Sequence, residues 1–271
     1  MNRIEKIVNG TKVTAEKFNS ISDFLKEYEH KEISTNYTDH ETAKCLQDET
    51  YTEHKQEFTG VTGYAEAVDQ LKNGVNVSAI KSARTAAAAG TKRQVKKSVN
   101  GGRVSVPAYL NGSPACMRRS CRLPAKTELN IVVDTGVHCG IDAEQITEAG
   151  KTIVKFITEL EERYNVNLHA AVATNINKKV YTCSIKIKDA GKPFSAARVS
   201  FCLTSAAFLR VFGFMWITRA DKVPYALGLG TPTSSNTKQE KEVMNAIHKN
   251  AVLVSLSDVI SKGEKGLPAV K

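Results

Sequence analysis

Apolar residues recur with two different periods along the second half of the chain, and the change of period marks a succession of strands and helices. LNIVVD (129–134) is a continuous apolar run closed by a carboxylate, the pattern of a buried strand. Asp142 with Gln145 three positions on forms a capping-box start. Ile146, Ala149, Ile153, Ile157, Leu160 and Tyr164 then recur at three- and four-residue steps, which predicts a helix. VNLHAAVA (166–173) and VYTCSIKIK (180–188) flank the turn NINKK. In the second of them Tyr181, Cys183, Ile185 and Ile187 alternate with Thr182, Ser184, Lys186 and Lys188, so the expectation is an antiparallel hairpin with one wet face near the sheet edge. A helix from Ser195 through Arg210, a strand at FGFMWI (212–217), a helix capped by Asn236 and Gln239, and a last strand at AVLVSL (251–256) complete the series.

The first half carries weaker signals. Ser20 and Asp23 open a short amphipathic helix to Tyr28, and residues 29–57 lack apolar periodicity. Thr62 starts a helix with Ala65, Val68 and Leu71 on one face, closed by Asn73-Gly74. The alanine- and lysine-rich stretch 78–103 favours helix by propensity. The division expected is an acidic, partly mobile N-terminal extension (1–57), a helical basic segment (58–126), an α/β core (127–261) and a loose tail (262–271). The fold class expected is α/β: an open, mostly parallel sheet with an antiparallel edge hairpin, flanked by helices in a von Willebrand A/Rossmann-like manner, plus an N-terminal helical extension.

Charge changes the picture more than composition does. Of the 271 residues, 38 are Lys or Arg and 28 are Asp or Glu, a net charge of +10. Residues 1–71 hold eight cations against fourteen carboxylates, whereas residues 72–126 hold twelve cations and no carboxylate at all. Such a stretch repels itself unless a polyanion neutralises it, the footprint of a phosphate-backbone binder. A solvated basic face that keeps the protein in solution is the alternative. The candidate nucleic-acid contacts are Lys81, Arg84, Lys92, Arg93, Lys96, Lys97, Arg103, Arg118, Arg119 and Arg122. Tyr109 is the one aromatic among them, read equally as a stacking ring or as a hydrophobic anchor for VPAYL.

Candidate chemistry is sparse. The chain has no dinucleotide or phosphate-loop glycine motif, no nucleophile elbow, no HExxH and no deaminase set, so the expectation is a protein that is not an enzyme and carries no cofactor. His138 next to Cys139 is a pair on paper only, since neighbours on extended backbone point apart. The six cysteines include no CxxC and read as reduced thiols, and the N-terminus has neither a secretory signal nor a membrane span, which places the protein in the cytoplasm.

Three stretches, GVTGYAEAVDQLKNG (60–74), VPAYLNGSPACMRR (106–119) and LNIVVDTGVHCGIDAEQI (129–146), together resemble a family of phage and plasmid proteins with a von Willebrand A-like core. The similarity runs from about residue 58 to 218. It implies single-stranded DNA as ligand and, among lytic phages with their own RNA polymerase, a cofactor that brings that polymerase to opened promoters in the host cytoplasm. DTGVHCG is similar to the metal-binding turn of von Willebrand A domains, with Gly136 and His138 where that turn has serines. Asp134 and His138 are therefore weak metal candidates, because the hydroxyl ligands a hard cation needs are missing. The alternative to nucleic-acid binding is a protein-interaction module built on this degenerate turn.

Overall fold

The computed structural model of the chain describes residues 2–8, 10–34, 40–75, 93–100, 102–122, 126–176, 179–192, 196–220, 238–248 and 250–270. The α/β expectation holds. The runs expected as strands become β6 (Glu128–Asp134), β7 (Asn165–Ile176), β8 (Lys179–Lys188) and β9 (Ala251–Ser255). Two further strands come from the N-terminal extension: β1 (Asn2–Val8) and β2 (Thr11–Phe18) form an antiparallel hairpin, and β2 lies parallel to β8. The six-stranded sheet has the order β1-β2-β8-β7-β6-β9, with β6 parallel to both β7 and β9.

This strand start departs from the helical extension expected, and the reason lies in burial. Because β2 is covered on both faces, TKVTAEKF shows no clean alternation. Its Glu16 is buried yet satisfied, accepting from Arg3, from the Tyr28 hydroxyl and from Trp216 Nε1 at 3.1 Å. The extension continues as helices: α1 (Ile21–Tyr28), capped by Ser20, whose hydroxyl accepts from the Asp23 amide at 3.1 Å, then α2 (His40–Cys45) and α3 (Glu53–Thr59). α4 (Tyr64–Asn73) follows and buries Ala67 and Leu71.

Most helices pack on one face of the sheet. α6 (Ala143–Arg163) starts at the expected Asp142–Gln145 capping box and buries Ile146, Ile153, Ile157 and Leu160. Beside it run α7 (Ala196–Thr204), a π-helical turn (Phe208–Gly213), α8 (Phe214–Arg219) and α10 (Leu256–Lys262). FGFMWI is therefore helical and not a strand. A fully buried run has no polar side to reveal its period, so apolarity alone does not separate the two. The other face is covered by α9 (Lys238–Ile247), whose Met244 and Ile247 meet Val13, Val132 and Ala171. No single helix among the described residues is long and apolar enough to cross a membrane; the bent pair Ala197–Thr204 and Phe208–Arg219 has the composition together, but Phe208–Arg219 is buried throughout.

Three other expectations change. The hairpin β7–β8 is antiparallel as expected but interior, because β2 covers its outer edge. Thr182, Ser184 and Lys188 are consequently buried, and Lys188 bridges to Glu161 at 2.7 Å. The antiparallel edge is β1–β2. The tail is not wholly loose, since Gly263–Gly266 forms a 3-10 turn and Leu267 and Val270 pack on the core. Within residues 93–122 of the basic segment, where helix was expected, three strands occur: β3 (Arg93–Ser98), β4 (Arg103–Val104) and β5 (Met117–Arg122) form a second sheet in the order β3-β5-β4, with the short helix α5 (Val106–Leu110) between β4 and β5. A helix would stack Arg93 on Lys97 at i,i+4 with no acid to offset them, which disfavours it.

Candidate nucleic-acid interface

The second sheet is held by backbone pairing between its three strands. β5 is its middle strand, antiparallel to β3 and to β4. The Ser105 amide donates to the Cys116 carbonyl at 2.7 Å, closing the loop that contains α5. The loop reverses at Asn111-Gly112, where Gly112 has φ 65°, the left-handed conformation that glycine adopts without steric cost. Ser105 is the one buried residue among those described in 97–119.

The register sets cations against cations. Arg93 lies opposite Arg122, Lys96 opposite Arg119, and Arg118 sits between Lys97 on one side and Arg103 on the other. Directly opposed residues share a face at about 4.5–5.5 Å between Cβ atoms, and like charges there destabilise the pairing. The Lys97–Arg118–Arg103 row is exposed, as is Arg119, and no carboxylate exists between residues 72 and 126 to relieve it. An external polyanion would.

Of the candidate contacts, the structure brings Arg93, Lys96, Lys97, Arg103, Arg118, Arg119 and Arg122 onto this one sheet; Lys81, Arg84 and Lys92 lie outside the described residues. Tyr109 stands on α5 at 65% exposure, so the anchor reading gives way to an outward ring. Sequence reasoning missed the apolar partners of these charges. Of six large exposed hydrophobic residues among those described, five belong to this small sheet and its loops: Val99, Val104, Val106, Tyr109 and Leu110. Their signal was present as apolar residues embedded in a carboxylate-free stretch.

The Asp134 turn has a different character. Asp134 ends β6 fully buried, and its Oδ1 accepts the Gly136 amide at 3.0 Å, while His138 is exposed and uses Nδ1 to accept the Gly140 amide at 3.1 Å. Among the described residues no group of three His, Cys, Asp or Glu side chains is placed to hold a metal. Contrary to the extended-backbone expectation, the turn closed by the Ile141 amide on the His138 carbonyl brings Cys139 Sγ to 3.9 Å from His138 Nδ1. Arg210, buried on the π-helical turn, stacks on Phe58 at 4.1 Å and donates to the carbonyls of Phe58 and Ile141, which pins this loop to α3.

A family model described as a domain of unknown function (DUF7192) matches residues 3–265, a span that takes in the basic sheet as well as the α/β core. No curated protein and no solved structure matches the chain.

Proposed function

The chain belongs to the domain family of unknown function DUF7192, and for this member we propose non-catalytic, sequence-tolerant binding of single-stranded DNA on the β3-β5-β4 sheet and α5. The observation that carries the reading is the exposed row of Lys97, Arg118 and Arg103, opposed across three strands without a carboxylate partner in the segment. Phosphates neutralise such a row and release counterions, and contacts of this kind do not read base identity. The exposed apolar side chains beside it, Tyr109 above all, favour a single strand, because unpaired bases offer flat faces that a duplex keeps stacked inside. The resemblance of residues 60–74, 106–119 and 129–146 to phage proteins adds the proposed partner, a phage-encoded RNA polymerase recruited to opened promoters, and the proposed place, the cytoplasm of the host.

The test is fluorescence anisotropy with an oligothymidylate, a duplex and an RNA of equal length across a salt series. For the protein, log affinity falls with log salt at about −0.7 per neutralised phosphate. In the triple variant Lys97→Ala/Arg118→Ala/Arg119→Ala the slope flattens by about 2, while Lys155→Ala/Lys262→Ala/Lys265→Ala, which removes the same charge from exposed helix positions, leaves it unchanged. Equal losses in the two variants, or preference for the duplex, would overturn the proposal. Polymerase recruitment is read from transcription of a bubble template by the phage enzyme, with and without the protein.

A further inference from the structure

β8 runs antiparallel to β7, so the carboxyl ends of the parallel pair β2 and β8 lie at the opposite end of the sheet from Asp134. Here β2 passes through Asn19 and Ser20 straight into α1, and β8 ends at Lys188. Between these ends opens a groove of about 430 Å³, within the roughly 300–1,000 Å³ range of small-molecule sites. Among the described residues, five cations line it, Lys72, Lys186, Lys188, Lys192 and Arg198, against the one carboxylate of Asp189. Lys188 is matched by Glu161 outside the groove, at 2.7 Å. Asp189 is shared between Lys192 at 2.7 Å and Lys186 at 3.2 Å, which leaves the cluster with a surplus of positive charge.

The five cations come from four separate places in the chain, α4, the end of β8, the turn after it and α7, so their convergence is a property of the tertiary fold. The first residues of α1 lie beside them. The Ser20 hydroxyl takes the Asp23 amide and the Ser20 carbonyl takes the Phe24 amide. The amides of Ile21 and Ser22, both lining the groove, are the first of the helix and have no intrahelical acceptor. Open α/β sheets place ligands outside the carboxyl ends of their strands, where a following helix begins.

We infer that this groove binds a phosphomonoester dianion, carried by a mononucleotide or another small phosphorylated molecule. The surplus charge suits two negative charges better than one, and the volume admits a small molecule. The site is separate from the β3-β5-β4 sheet and does not rest on its reading.

The experiment is calorimetric titration of the full chain with inorganic phosphate, AMP and ribose 5-phosphate at constant ionic strength, with chloride as the reference anion. Saturable binding of phosphate over chloride is expected. Lys186→Ala/Lys192→Ala leaves Asp189 unmatched in the groove and weakens phosphate by at least about tenfold, with folding checked by circular dichroism. Asp189→Asn removes the one carboxylate and tightens binding several-fold, an opposite sign that no loss of folding imitates. The triple variant of Lys97, Arg118 and Arg119 retains full phosphate affinity. AMP binding more tightly than ribose 5-phosphate assigns a mononucleotide, and equal affinities of all three assign the phosphate group alone; both support the site. Binding no stronger than chloride, or lost equally in the β3-β5 triple variant, overturns it.

Discussion

Glu16 is the residue on which the N-terminal hairpin depends. Its carboxylate joins three elements through Arg3 of β1, Tyr28 of α1 and Trp216 of α8, and Arg3 is partly exposed whereas the other partners are buried. Burial and the adjacent Glu16 charge push the Tyr28 phenol well above its ordinary range. Glu16→Ala leaves a hydroxyl and an indole N–H unpaired, and about 3 kcal/mol of stability is expected to go with it; Glu16→Gln, which keeps an acceptor, costs less. Urea unfolding followed by the fluorescence of Trp216, the single tryptophan, measures both. A loss below about 1 kcal/mol for Glu16→Ala would mean the carboxylate does not hold these elements together.

His169 and His248 pose a second residue-scale question. Their rings meet edge to face at 4.9 Å between β7 and the residue that follows α9, and His169 Nδ1 and His248 Nε2 are buried without hydrogen-bond partners among the described residues. Burial first, then Lys186 and Lys17 near His169 and Lys17 near His248, push the two imidazoles down to about 4 and about 3. Unfolded histidines titrate near 6.5, so the unfolded chain binds more protons below that value and the fold loses stability as pH falls. Stability is expected to be level above pH 6.5 and to fall by roughly 2 kcal/mol for each histidine, about 4 kcal/mol for the pair, by pH 5. Asp189, held low by Lys192 and Lys186, contributes its loss only in the more acidic carboxylate range. In His169→Leu/His248→Leu the slope between pH 6.5 and 5 disappears; a slope that survives would assign it elsewhere.

At the scale of elements, the packing of α6 on α7 depends on close backbone approach. A Cβ at Gly150 would stand 2.2 Å from the Leu203 carbonyl oxygen, which is backbone and cannot swing aside. Gly150→Ala therefore forces the two helices apart in spite of its better helix propensity. About 2–4 kcal/mol of destabilisation is expected where an exposed helix position would gain about 1. Thermal denaturation decides between them, and an unchanged or raised Tm would refute the contact. The C-terminus of α9 is held in another way. Lys6 of β1 and Lys17 of β2 donate to the carbonyls of Ala246 and Ile247, placing two cations at the negative end of that helix.

Over the whole molecule, charge and burial are unevenly shared. The α/β core buries its apolar residues in two clusters, whereas the β3-β5-β4 sheet leaves five large apolar residues exposed among cations with no carboxylate. A unit with that much exposed apolar surface and with cations opposed across its strands opens locally at low cost. Limited trypsin digestion is expected to cut first after Lys97, Arg103, Arg118 or Arg119, with an oligothymidylate slowing those cuts selectively; mass spectrometry of the first fragments reads both. First cleavage within α6 or α10 would show that the basic sheet is not the least stable unit.

Local information was enough for β6, for α6 with its capping box, for α1 and its Ser20 cap and for the β7–β8 pairing, because period, caps and turns act between near neighbours. The carboxylate-free stretch was equally legible, since charge is counted residue by residue. Long-range packing decided the rest. It made TKVTAEKF a strand because partners from β1, α1 and α8 satisfy a buried Glu16. It made FGFMWI helical because burial on every side erases the period. It turned the expected edge hairpin inward because β2 docks on β8. The cation rows exist only because strand register sets Lys97 and Arg103 against Arg118, and the groove cations meet only where two strands end. Neither arrangement follows from spacing along the chain, because opposition across a sheet is set by pairing partners far apart in sequence.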